Sequence, residues 1–172
     1  MSLMALLWTA CAAAQAADPE QFWFKNETEC DGARVTVRSY CEVAHRAYAT
    51  QQRNTGCVEQ ELVIAQPGKP VRKLDLLAHE PVEDDFHIAS SLRCVAAGKQ
   101  HYLLVTLDTG GNCDTCELQA VVGLDGRWKR YGGKWQATPA AEQRTIQQSE
   151  ASWARLPSFD LPNNVREAPA AP

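Results

Sequence analysis

Cys113-Asp114-Thr115-Cys116 sets two thiols at the spacing with which thiol-disulfide enzymes pass electrons to a substrate disulfide. That chemistry needs a thiolate near neutral pH, and in such enzymes a helix N-terminus lowers the pKa of the first thiol. Here the chain after Cys116 alternates Leu118, Ala120 and Val122 with Glu117 and Gln119, a strand pattern, and no βαβ unit surrounds it. The pair therefore reads as a structural disulfide, or as two cysteines joined to others, with a redox couple of Cys113 and Cys116 as the alternative. Zinc would need two further ligands, and neither a second C-x-x-C nor an H-x3-H is present. Glu117 rather than His follows Cys116, which excludes covalent haem attachment. No metal and no cofactor is expected.

A second concentration of chemistry-bearing side chains is Arg127-Trp128-Lys129-Arg130-Tyr131-Gly132-Gly133-Lys134-Trp135, with four basic and three aromatic residues in nine. Cations beside aromatic faces suit a sugar, an acidic peptide or single-stranded nucleic acid. Trp128, Lys129, Arg130, Tyr131 and Trp135 are accordingly the candidate binding residues. The same pattern also describes a terminal strand that packs Trp128 or Tyr131 on the core and guards an exposed edge with Lys and Arg. Elsewhere, Leu104-Val105-Thr106-Leu107-Asp108-Thr109-Gly110 resembles the active-site strand of aspartic proteases, with Val121-Val122-Gly123 as its companion. The resemblance implies a homodimer, because two carboxylates must share a proton. The companion follows too soon to leave room for a lobe, and Gly111 replaces the usual Ser, Thr or Ala. A hairpin loop rich in Asp, Gly and Asn accounts for the same residues. Its Asp108, Asn112 and Asp114 are oxygen donors without the EF-hand ligand order.

His45, His79, His87 and His101 show no pairing with a Ser or Cys, and no nucleophile elbow, P-loop, dinucleotide fingerprint or H-E-x-x-H occurs. No catalytic residue is assigned. Asn26-Glu27-Thr28 is an N-glycosylation sequon, meaningful only in a eukaryotic secretory pathway.

The elements that must position these residues begin after residue 16. Residues 1–16 are uncharged, with an apolar stretch too short to span a bilayer and small residues Ala14 and Ala16 at the cleavage positions of a signal peptide. Cys11 lies within it, so a lipoprotein signal is the lesser alternative. Removing 16 of 172 residues leaves six of seven cysteines: Cys30, Cys41, Cys57, Cys94, Cys113 and Cys116. An even set behind an export signal indicates an oxidising compartment, periplasmic or secreted, and up to three disulfides. The net charge of −4 gives no global field for polyanions, so no nucleic-acid partner is expected, and no membrane span remains after cleavage.

Val35, Val37, Ser39, Cys41 and Val43 alternate with Arg34, Thr36, Arg38, Tyr40 and Glu42, which predicts a half-buried strand. Further strands are expected from Cys57 to Ala65 and around Leu74 and Leu76, followed by a solvated acidic stretch at 80–85. Residues 88–96, 100–107, 116–122 and 127–131 then form runs separated by glycine-containing turns, an antiparallel meander whose third member of the chain order, 116–122, packs Leu118, Ala120 and Val122 inward. His101–Leu107 is apolar on both faces and should be the innermost strand. Thr138 as N-cap, Pro139 at N1 and Glu142 in the first turn predict a helix that ends before Pro157, with Ile146 and Trp153 on its apolar side. The strand between the turns at Gly98 and at residues 108–112 spans roughly 30 Å. A disulfide needs Cα atoms within about 7 Å. Cys94 should therefore pair with Cys30, Cys41 or Cys57, leaving nine of 15 connectivities.

The expectation is a single mainly β domain over 17–161, a meander or sandwich stapled by disulfides, with one C-terminal amphipathic helix and a frayed tail over 162–172. Its expected role is non-enzymatic: a binding or inhibitor/immunity-type protein for an envelope protein or glycan.

Overall fold

The alternation around Val35 and Val37 is realised as β2 (Ala33–Val43) in a computed structural model that describes residues 20–43, 56–78, 87–108 and 116–161. Val35, Val37, Ser39 and Cys41 are buried, while Arg34 is exposed and Thr36, Arg38 and Tyr40 are half-buried on the opposite face. Before it runs β1 (Glu20–Cys30), a strand outside the sequence expectations, paired antiparallel with β2 from end to end. Asp31 and Gly32 join the two with φ of 50° and 70°. Two left-handed central residues are what a type I′ hairpin requires, and Asp-Gly is its sequence signal. The expected strands β3 (Gly56–Ala65) and β4 (Arg72–Asp75) complete a sheet in the order β1-β2-β3-β4.

The expected meander is present as β5 (Ile88–Ala97), β6 (Gln100–Asp108), β7 (Glu117–Gly123) and β8 (Trp128–Tyr131). Two short strands outside the expectations, β9 (Lys134–Trp135) and β10 (Phe159–Asp160), extend it to the order β10-β5-β6-β7-β8-β9. β6 lies inside the sheet, with Tyr102, Leu103, Leu104, Val105 and Leu107 all buried. The two sheets stack through a core in which Val35, Leu62 and Ile64 meet Leu92, Leu103 and Val105. Gln60 bridges them: only 1% exposed, its amide donates to Ser39 Oγ at 3.1 Å and to the Ala89 carbonyl at 3.0 Å, and accepts the Ala89 N–H at 2.6 Å. Asn26 is also inside, at 4% exposure, so a glycan on the sequon is incompatible with this fold.

The helix, α1 (Ala140–Trp153), covers the other face of the six-stranded sheet. Ile146 and Trp153 pack with Val95, Leu104 and Val121, and the Trp153 indole N–H donates to the Ala96 carbonyl at 2.9 Å. The layers are thus sheet, sheet, helix. The helix start differs from expectation: Pro139 occupies the N-cap position without a side-chain cap, and Thr138 lies one residue outside. The Thr138 hydroxyl instead donates to the Lys129 carbonyl at 2.9 Å, because docking against β8 buries it and claims its hydrogen bond.

Cys30–Cys94 joins the end of β1 to β5 and so links the two sheets, with Cα atoms 5.4 Å apart. Cys41–Cys57 crosslinks β2 and β3. Cys94 has taken one of the three partners that strand geometry left open. Cys116 is disulfide-bonded as well, and with those four cysteines paired among themselves its partner lies outside the described residues. Cys113, the segment expected to be a signal peptide, residues 44–53, the acidic stretch and the C-terminal tail also lie outside them. Among the described residues no helix is long and apolar enough to cross a membrane.

Candidate functional site

The aromatic and basic run around β8 does not form one surface. Between β7 and β8 the register passes from Val121↔Arg130 to Val122↔Trp128, so β8 contains one extra residue. Such a bulge shifts the side-chain alternation by one position. Trp128 and Tyr131, three apart, consequently both pack on the inter-sheet core, with their rings edge to face at 5.3 Å. Trp128 is only 9% exposed. Lys129 and Arg130 turn toward the helix, where Arg130 pairs with Glu150 and lies 5.4 Å from the Trp135 ring. Lys129 sits between Asp125 at 3.2 Å and Glu142 at 3.4 Å. The Lys129 and Arg130 side chains are 15% and 13% exposed. Trp135, half-buried, packs against the core beneath the helix.

Lys129 is the member of this group that reaches a cavity. A cleft of about 410 Å³ opens at the end of the sandwich where the turns gather. Its walls come from the β1–β2 turn (Asp31), the β3–β4 connection (Gln66, Lys69, Pro70, Arg72), the β5–β6 turn (Lys99 to Tyr102), the β7–β8 turn (Gly123 to Asp125) and the first turn of α1 (Glu142). Each position follows from a tight connection. Gly98, with φ of 62°, makes a two-residue turn between Ala97 and Gln100 and presents Lys99 at its tip. Gly126, with φ of 74°, lets the β7–β8 turn close against Arg72: a Cβ there would lie 2.7 Å from that side chain.

The cleft has two electrostatic zones. Lys69, Arg72 and Lys99 are exposed at its rim, and none meets a carboxylate among the described residues. Deeper in, Lys129 is neutralised by Asp125 and Glu142, while the Tyr102 hydroxyl lies 2.5 Å from Gln100 Oε1 and 3.1 Å from Glu142 Oε1, two acceptors for one proton. Burial, and after it the Glu142 charge, push the Tyr102 phenol well above its ordinary pKa, so it stays a neutral donor. His101 Nδ1 is 3.3 Å from Asp31 Oδ2 on one wall. Pro70 and Leu124 supply apolar surface, with Ile64 buried behind them. A polar cavity with fixed donors and acceptors and some apolar wall suits a small ligand or one protruding group of a larger partner.

This convergence was not visible in the primary structure, since its residues run from Asp31 to Glu142. A second feature without a sequence signal lies on the outer face of the four-stranded sheet, which no described element covers. There Trp23 and Tyr40, cross-strand neighbours, have ring centroids 5.1 Å apart, and Arg38 lies 4.8 Å above the Trp23 ring. Cys116 leads into β7 rather than a helix, so no helix N-terminus follows the C-x-x-C. Among the described residues no group of three His, Cys, Asp or Glu could hold a metal. No protein-family model, curated protein or solved structure matches this chain.

Proposed function

We propose that this chain is an exported, non-enzymatic binding protein of inhibitor or immunity type, and that its ligand, borne by an envelope protein or glycan, enters the cleft at the turn end of the sandwich. The observation that carries the reading is the convergence of four connections and the first turn of the helix on one polar cavity, whose three rim cations meet no carboxylate among the described residues. Surface cations that serve solubility alone have no reason to collect around a concavity in a chain of net charge −4. Disulfides that link the two sheets, and β2 to β3, suit a protein working in an oxidising compartment. Of the candidate residues on β8 and β9, Lys129 belongs to the cleft directly, while Trp128, Arg130, Tyr131 and Trp135 hold the strands and the helix that frame it.

A fragment screen by NMR on the isotope-labelled protein tests this. Small polar compounds of varied charge should move amide resonances in the segments 66–72, 99–102 and 123–125 together. Compounds that perturb only other surfaces, or none at all, would reject the cleft as the binding site.

A further inference from the structure

We infer that the cleft takes an acidic saccharide, a sugar carrying a carboxylate, an inference that rests on the cleft being the ligand site. The two zones demand different things of a ligand. The rim offers Lys69, Arg72 and Lys99, three exposed cations that meet no carboxylate among the described residues, and calls for an anionic group. The floor does the opposite. Glu142 and, toward solvent, Asp125 already outnumber the Lys129 charge they hold, and Gln66 and the exposed Gln100 add amide groups. Such a floor repels a compact polyanion but accepts hydrogen bonds from hydroxyls.

A carboxylate carried on a ring with several hydroxyl donors satisfies both zones, and a short chain of such rings spaces its charges along the rim. Pro70 and the half-buried Leu124 offer apolar contact to the C–H faces of a sugar ring. The volume of about 410 Å³ lies in the small-molecule range of roughly 300–1,000 Å³. An inorganic anion would leave the carboxylate floor unused, and a neutral sugar would leave the rim unused. The geometry holding these groups is largely set before binding: the Lys129, Glu142 and Tyr102 cluster is tied together by hydrogen bonds and ion pairs. That lowers the ordering a ligand would have to induce.

Three probes separate the alternatives on the labelled full-length protein: trigalacturonate, its methyl ester and inorganic phosphate. Trigalacturonate should shift the amides of segments 66–72, 99–102 and 123–125, and its affinity should fall as salt screens the rim. The ester, with the same hydroxyls and no charge, should bind about tenfold more weakly or worse. Arg72→Gln and Lys99→Gln, both at exposed positions, should each weaken trigalacturonate about two- to fivefold and leave the ester unchanged.

Equal affinity for acid and ester would overturn the inference, as would phosphate moving the same amides as strongly, which marks a simple anion site. Trigalacturonate shifts confined to the Trp23 and Tyr40 face would overturn it too. If none of the three binds, the acidic-saccharide inference falls, while fragment shifts in the cleft would still uphold a ligand site there.

Discussion

Gln60 closes a gap that the strands themselves leave open. β5 carries a bulge between Ala89 and Ser91, and the Gln60 side chain takes both backbone groups of Ala89 across the sheet interface. Removing a partner inside a core leaves groups that water cannot reach. Gln60→Leu keeps the volume but orphans the Ala89 N–H and carbonyl, and should cost about 2–3 kcal/mol. A urea midpoint lowered at unchanged slope is the expected reading. Tyr102 gives a prediction at the alkaline end. Burial and then the Glu142 charge raise its folded-state pKa, whereas an unfolded tyrosine ionises near ~10. The stability it contributes is therefore complete below about pH 10 and lost progressively as pH rises above it. Titration of tyrosinate absorbance should show one of the four tyrosines ionising only with unfolding, and Tyr102→Phe should remove that coupled step. The polar residues were legible in the sequence only as residue types. Nothing local marks Gln60 as buried, because its place is decided by a bulge on a strand far along the chain.

At the scale of elements, the strength of a periodic signal decided what was legible. β2 alternates cleanly, the meander is a series of apolar runs marked off by glycine turns, and both stand where the pattern predicts. β1 does not: its inward face carries Phe24, Asn26, Thr28 and Cys30, so half of that face is polar and the apolar period is blurred. The helix was legible from the spacing of Ile146 and Trp153, but its first residue was not, since Thr138 gives its hydroxyl to β8 instead of to the helix. A helix with so narrow an apolar side depends on docking. Trp153→Ala removes the largest side chain beneath it and the bond to Ala96, and should cost about 3–5 kcal/mol. Hydrogen exchange should show α1 losing protection more than β6. Equal loss in both would mean that the helix is not the element held by this contact.

Across the whole molecule, the sandwich is held together by packing and by covalent links of unequal reach. Cys30–Cys94 spans 64 residues of chain and Cys41–Cys57 spans 16. By loop-closure entropy the first restricts the unfolded chain by about 4 kcal/mol and the second by about 3 kcal/mol. The double variant Cys30→Ser/Cys94→Ser should therefore melt lower than Cys41→Ser/Cys57→Ser, a comparison that calorimetry reads directly. Composition, the alternating runs, the glycine-marked turns and the cysteine count determined by themselves that this is a mainly β, disulfide-bearing chain with one late helix. Those are properties of neighbours in sequence, set by backbone periodicity and by which residues tolerate a turn. Only the tertiary structure decided that Cys94 meets Cys30, that the aromatic run at β8 divides between two faces, and that Lys69, Arg72 and Lys99 share one cleft. Each of these depends on a bulge that shifts alternation by one residue, or on the stacking of two sheets that brings distant turns to the same end, and neither leaves a local mark in the chain.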